Sequence, residues 1–134
     1  MLSENFKIKK GFELLSIEFN FELIAQFEDY YKYLQSENAK YNLTSINDLD
    51  GYIELHILDS LSIFLSLQQY KIEITNVLDI GTGAGFPGLP FKLCKQDINL
   101  ILVDSVNKKT DFLNKIIPLL NVHNIEVIND RIEN

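Results

Sequence analysis

The sequence has 134 residues, about one domain's worth, and 46% of them are hydrophobic, enough for a real core. A net charge of −7 excludes a domain that wraps nucleic acid by bulk charge, because phosphate neutralisation needs Lys and Arg. Cys94 stands alone, which excludes an internal disulfide and a cysteine metal cluster, and no apolar run approaches the roughly 18 residues of a membrane helix.

The opening MLSENFKIKKGFELL carries charges where a secretion signal would be apolar, so a soluble, cytoplasmic protein with no metal site is expected. Lys7, Lys9 and Lys10, and separately Lys108 and Lys109, read as solvated surface charge. Residues 19–34 place Phe19, Leu23, Phe27, Tyr30 and Leu34 at helical spacing. Residues 38–50 read as a loop, with Asp48 placed to cap the next helix and Gly51 just after it. A second helix is predicted over 53–67, with Ile53, Ile57, Leu61, Phe64 and Leu65 facing inward. Both helices form an amino-terminal extension, residues 1–70.

Residues 71–134 change pattern. Strands are predicted at 74–80, 100–104 and 125–128, and helices at 86–94 and 107–120, with Pro118 distorting the last turn. Apolar runs alternating with helices give an α/β fold with a parallel sheet. The pattern stops after the third strand, where an open sheet of this kind normally continues, so the expectation is a truncated fold with an exposed sheet edge.

The stretch VLDIGTGAGFPGLP joins the first strand to its helix. Glycines there let a ligand touch bare backbone at the strand's carboxyl end, and Asp104, ending the second strand, is placed to bind ribose hydroxyls. Gly83, Gly85 and Gly88 spell the dinucleotide fingerprint G-x-G-x-x-G, which would make the protein an NAD-dependent oxidoreductase. Asp79, Gly81, Gly83 and Gly85 spell D-x-G-x-G-x-G, the loop of S-adenosylmethionine-dependent methyltransferases. A pyrophosphate wants free N–H groups at the helix start, and Pro87 and Pro90 supply none. S-adenosylmethionine has no phosphate, and Asp79 would offer its charge to the cationic amino-acid end. A third reading is an inactive cofactor-binding fragment.

Further motifs lie along the chain: NLTSI at 42–46, HILDSL at 56–61, LVDSVNKKTDFL at 102–113 and INDRIEN at 128–134. Their order and spacing resemble the bacterial glucose-inhibited division protein B family, the 16S ribosomal RNA guanine-N7 methyltransferase G family. The resemblance implies a Rossmann-like methyltransferase fold, S-adenosyl-L-methionine as cofactor, and 16S ribosomal RNA or the small ribosomal subunit as partner, with the protein a monomer. It implies Gly81 and Phe86 at the cofactor pocket, Asp104 at the ribose, and Ile132 and Glu133 beside the adenine. Asn42, Thr44, His56, Asp59 and Ser60 match signature positions near the cofactor and RNA face. Members carry a lysine-arginine pair where this chain has Lys108 and Lys109, and a further arginine on a strand this sequence does not reach. Guanine N7 offers a lone pair and no proton, so no catalytic base is expected. His123 and Cys94 read as surface and core residues respectively.

Overall fold

Asparagine and aspartate caps set where the amino-terminal helices begin. The computed structural model describes residues 2–131 and 133. α1 (Phe6–Leu14) starts at Asn5, whose side chain accepts from the Ile8 N–H at 3.2 Å. Ile8 and Phe12, four apart, enter the core. The sequence expectations lacked this helix, since two buried residues make too short a stripe to register as periodic.

α2 (Phe21–Tyr41) is capped by Asn20, which accepts from the Leu23 N–H at 2.9 Å. It ends where Asn42 turns left-handed at φ 53°. The helix therefore runs past the predicted end at 34, through polar residues that no apolar stripe marks, and the expected loop begins at Asn42. Asp48 caps as anticipated, its Oδ1 accepting from the Gly51 N–H at 2.6 Å. α3 (Leu49–Gly51) then passes into a π-helical stretch, Tyr52–Leu58, and back into α4 (Asp59–Leu61) and α5 (Ile63–Tyr70). The single helix predicted over 53–67 is thus broken. Ile53, Ile57 and Leu61 are buried, but Leu65 is 49% exposed, because the π stretch and the turn at Ser62 displace the face that a regular 3.6-residue period would keep.

β1 (Asn76–Ile80), β2 (Asn99–Asp104) and β3 (Ile125–Asn129) form a parallel sheet in that order. Asp79 lies opposite Leu102, which lies opposite Val127. α6 (Gly88–Cys94) and α7 (Asn107–Leu119) connect the strands, and α2 packs on both. Pro118 lies inside α7 and has no N–H to offer the carbonyl of Asn114. The helix nonetheless runs one residue past it, and the Leu120 N–H reaches Ile116 O at 3.0 Å. The result is an α/β fold of the expected Rossmann-like kind, with helices preceding the sheet.

One core serves all of this. Phe12, Phe27, Tyr30, Ile53, Leu89, Leu102 and Leu113 belong to a single buried cluster drawn from α1, α2, the π stretch, α6, β2 and α7. On β1, Leu78 and Ile80 are half exposed and alternate with the more buried Val77 and Asp79. The sheet is covered on its helical side and open along β1 on the other. Among the described residues, β1 and β3 also have unpaired outer edges.

Lys92 is the exception within the core. It is 1% exposed, and its ammonium donates to the carbonyls of Gln96, at 2.5 Å, and Ile98. Burial lowers its pKa, and the charge of Asp97 opposes that shift. The side chain joins the end of α6 to the start of β2. Lys92→Met should strip donors from these carbonyls and destabilise the fold by about 1–3 kcal/mol, read as a lower urea midpoint with an unchanged slope.

Candidate functional site

The loop leaving β1 is held from two sides by carboxylates. Asp79 Oδ2 accepts from Thr82 Oγ1 at 2.7 Å and from the Gly88 N–H at 2.9 Å. Asp104, at the end of β2, accepts from the Gly83 N–H at 2.8 Å through Oδ2 and from the Val106 N–H at 2.9 Å through Oδ1. Burial pushes the Asp79 carboxyl above its ordinary pKa, the bonds from Thr82 and Gly88 oppose this, and the charge of Asp104 adds to it.

Most of the loop's other amides are also committed inside the protein. Those of Gly81 and Thr82 donate to Val103 O, at 2.8 and 3.0 Å. Those of Gly85 and Phe86 donate to Thr82 O, and that of Leu89 to Gly85 O at 2.7 Å. Pro87 has no N–H to give. Of the loop amides only that of Ala84 lacks such an acceptor, which leaves little to cradle a pyrophosphate.

Two glycines have distinct roles here. Gly81 has φ 71°, and a Cβ placed on it would meet nothing within 4 Å, so the residue keeps the cleft floor bare. Gly85 has φ 103°, and a Cβ there would stand 2.5 Å from Tyr30 Oη. The Tyr30 hydroxyl donates to Ala84 O from a fully buried position, so α2 and the loop touch where only glycine fits.

A cleft of about 350 Å³ opens at the carboxyl ends of β1 and β2. Ile80, Gly81, Val103, Asp104, Ser105, Asp130, Arg131 and Glu133 line it. The Arg131 guanidinium lies 3.8 Å from Glu133, and the Arg131 N–H donates to Asp130 Oδ1 at 2.7 Å. Among the charged side chains of the lining, three are acidic and one is basic. Each Asp104 oxygen retains a lone pair beyond its backbone bond, enough to accept from a sugar hydroxyl. The cleft's size, bare backbone floor and acidic lining fit an adenosine ligand with a cationic tail.

The sequence-predicted residues separate into groups. Gly81, Asp104 and Glu133 meet in the cleft, and Gly83 and Gly85 shape the loop beside it. Ile132 lies outside the described residues. Asp79 and Ser60 line a different, mainly apolar groove of about 280 Å³ along β1, with Val77, Pro87 and Phe91. The structure therefore shows Asp79 as a brace behind the loop. The ring of Phe86 turns towards the helices, where it stacks on His56 at 3.9 Å and 4°. His56 Nε2 and Thr44 Oγ1 are 2.9 Å apart, so His56 pairs with Thr44, while Asp59 is exposed and acts on it through charge. Asn42 closes α2. Ser105, Asp130 and Arg131 were not singled out from sequence; their signal is topological, since residues just past parallel strands gather at one sheet end. Among the described residues, no cluster of His, Cys, Asp or Glu is placed to hold a metal.

The comparisons with known proteins converge on one family. The sequence model of the family described as "GidB: rRNA small subunit methyltransferase G" matches residues 23–134. The chain belongs to this family. It is 41% identical over 128 residues to a "Ribosomal RNA small subunit methyltransferase G" of Carboxydothermus hydrogenoformans, covering 96% of this chain and 53% of that protein. It is 39% identical over 133 residues to the protein of the same name from Lachnoclostridium phytofermentans, covering 98% and 54%. A relative of that name from Mycoplasma mycoides subsp. mycoides is 43% identical over 114 residues, covering 85% of this chain and 81% of the relative. The chain spans about half the length of the first two relatives.

Two expectations follow from the geometry. Gly85→Ala combines a strained φ with a clash against the buried Tyr30 hydroxyl, and should cost about 1–3 kcal/mol or more in urea denaturation. Burial lowers the pKa of His56 against the smaller opposing pull of Asp59. A histidine depressed in the folded state takes up its proton more readily when unfolded. Its contribution is therefore intact above the ordinary value of about 6.5 and lost as pH falls below it. Urea midpoints measured across that range should fall less steeply for His56→Phe than for the parent.

Proposed function

We propose that the protein acts as an S-adenosylmethionine-dependent methyltransferase that methylates N7 of a guanine in 16S ribosomal RNA. The observation that carries the choice of cofactor is the loop whose amides, that of Ala84 apart, are spent on Val103, Thr82, Asp104 and Asp79. Such a loop suits a ligand without phosphate, and it sits beside a cleft lined by Asp104, Asp130 and Glu133. The names of the relatives support the RNA as substrate.

In this reading Asp104 accepts the ribose hydroxyls, and the bare backbone of Gly81 lets the ligand lie close to β1. Glu133 stands beside the adenine, as the resemblance implies. S-adenosylmethionine supplies an electrophilic methyl group. The chain's own task is to hold the donor at the strand ends and keep water out while the base is presented in line. Such positioning lowers a barrier by several kcal/mol, up to roughly 7–11 in favourable cases. Guanine N7 carries no proton, so no residue need act as base. The target base must leave its stack to be reached. The reading also has the protein working in the cytoplasm as a monomer, with residues 1–70 as a helical cap on 71–134.

Titration with S-adenosylmethionine and with NADH tests the cofactor. The expected result is saturable binding of the first and none of the second, and the reverse overturns the proposal. Asp104→Asn should weaken S-adenosylmethionine by about tenfold to a hundredfold, the loss of a charge-assisted hydrogen bond, in calorimetric titration. Primer extension across 16S RNA incubated with this chain, beside a relative of full length, tests methyl transfer. A product from the relative and none from this chain would leave binding without transfer.

A further inference from the structure

Both faces of the Phe86 ring are covered. Tyr30, from α2, stacks on one side with centroids 5.1 Å apart and planes at 8°. His56, from the π-helical stretch, stacks on the other at 3.9 Å and 4°. Tyr52 meets Phe86, His56 and Tyr30 edge-on, at 6.3, 6.3 and 6.1 Å. Aromatic rings from α2, the π stretch and the glycine loop thus form one block, and Phe86 follows Gly85 directly in the loop.

Tyr30 and Tyr52 are fixed by burial and by hydroxyls that donate to Ala84 O and Phe27 O. His56 is only half-buried, and its hold is Thr44. Thr44 is itself pinned twice. Its N–H donates to Asn38 Oδ1 at 2.8 Å, and its hydroxyl oxygen accepts from the Ile46 N–H at 3.1 Å. A line of contacts therefore runs from the end of α2 through Thr44 and His56 to the loop.

We propose that Thr44 and His56 are positioning residues for the glycine loop. The Thr44 hydroxyl fixes the imidazole, the imidazole holds the Phe86 ring against Tyr30, and the ring sets the loop whose Gly81 and Gly83 flank the cleft. The S-adenosylmethionine reading supplies only the identity of the ligand, because the clamp acts on the loop before any ligand arrives.

Hydrogen exchange on the ligand-free chain tests the clamp directly, with S-adenosylmethionine titration in parallel. Thr44→Val and His56→Ala should speed exchange of the Gly83, Gly85 and Phe86 amides by about tenfold or more, while the Leu102 amide in β2 stays slow. Thr44→Ser, which restores the hydroxyl, should return loop exchange to the parent rate. His56→Phe, which keeps a stacked ring, should lie closer to the parent than His56→Ala. Cofactor affinity should weaken in the same order. Unchanged loop exchange in Thr44→Val and His56→Ala would overturn the proposal, as would acceleration shared equally by Leu102, the mark of general destabilisation. If exchange follows the expected order but the parent binds no S-adenosylmethionine, the clamp stands and the cofactor reading fails.

Discussion

Asp79 and Asp104 grip one loop from opposite ends. Their bonds to the Gly88 and Gly83 amides turn the segment after β1 into a fixed object at the carboxyl edge of the sheet. An unpaired amide is costly when shielded from water, so a turn this short must find its acceptors close at hand. It finds them in the two carboxylates, in Val103 O and in Thr82 O. The cleft floor, the choice between phosphate and non-phosphate ligands, and the contact with α2 all follow from how this loop is satisfied.

The helices preceding the sheet take part in that arrangement. Tyr30 reaches from the middle of α2 to Ala84 O, and the space a side chain at Gly85 would need is already filled by its hydroxyl. The π-helical stretch brings Tyr52 and His56 to the same ring cluster. Such stretches are rare and recur at functional positions, because they trade regular hydrogen bonding for a displaced side-chain face. The core is shared rather than divided, joining residues of α1, α2 and the π stretch to those of α6, β2 and α7.

Much of the fold was legible in the chain order of residues. The three strands, their helices and the Asp48 cap follow from apolar runs and from capping chemistry that acts over three or four residues. The misreadings share a cause. α1, the end of α2 beyond residue 34 and the break at Ser62 carry no long apolar stripe, and α1 finds its partner in the distant π stretch. Local periodicity carries no record of such neighbours.

For the site, the sequence by itself determined the glycine spacing, the acidic residue ending β2 and the family, since these are local facts of residue type and separation. Tertiary structure decided the placements. It placed Asp79 behind the loop and Asp104 at the cleft, turned Phe86 into a stack with His56 and Tyr30, and brought Asp130 and Arg131 to the strand ends. A carboxylate's identity is written in the chain. Whether it braces a turn or faces a ligand depends on which amides and helices arrive beside it from elsewhere in the sequence, and only folding supplies those.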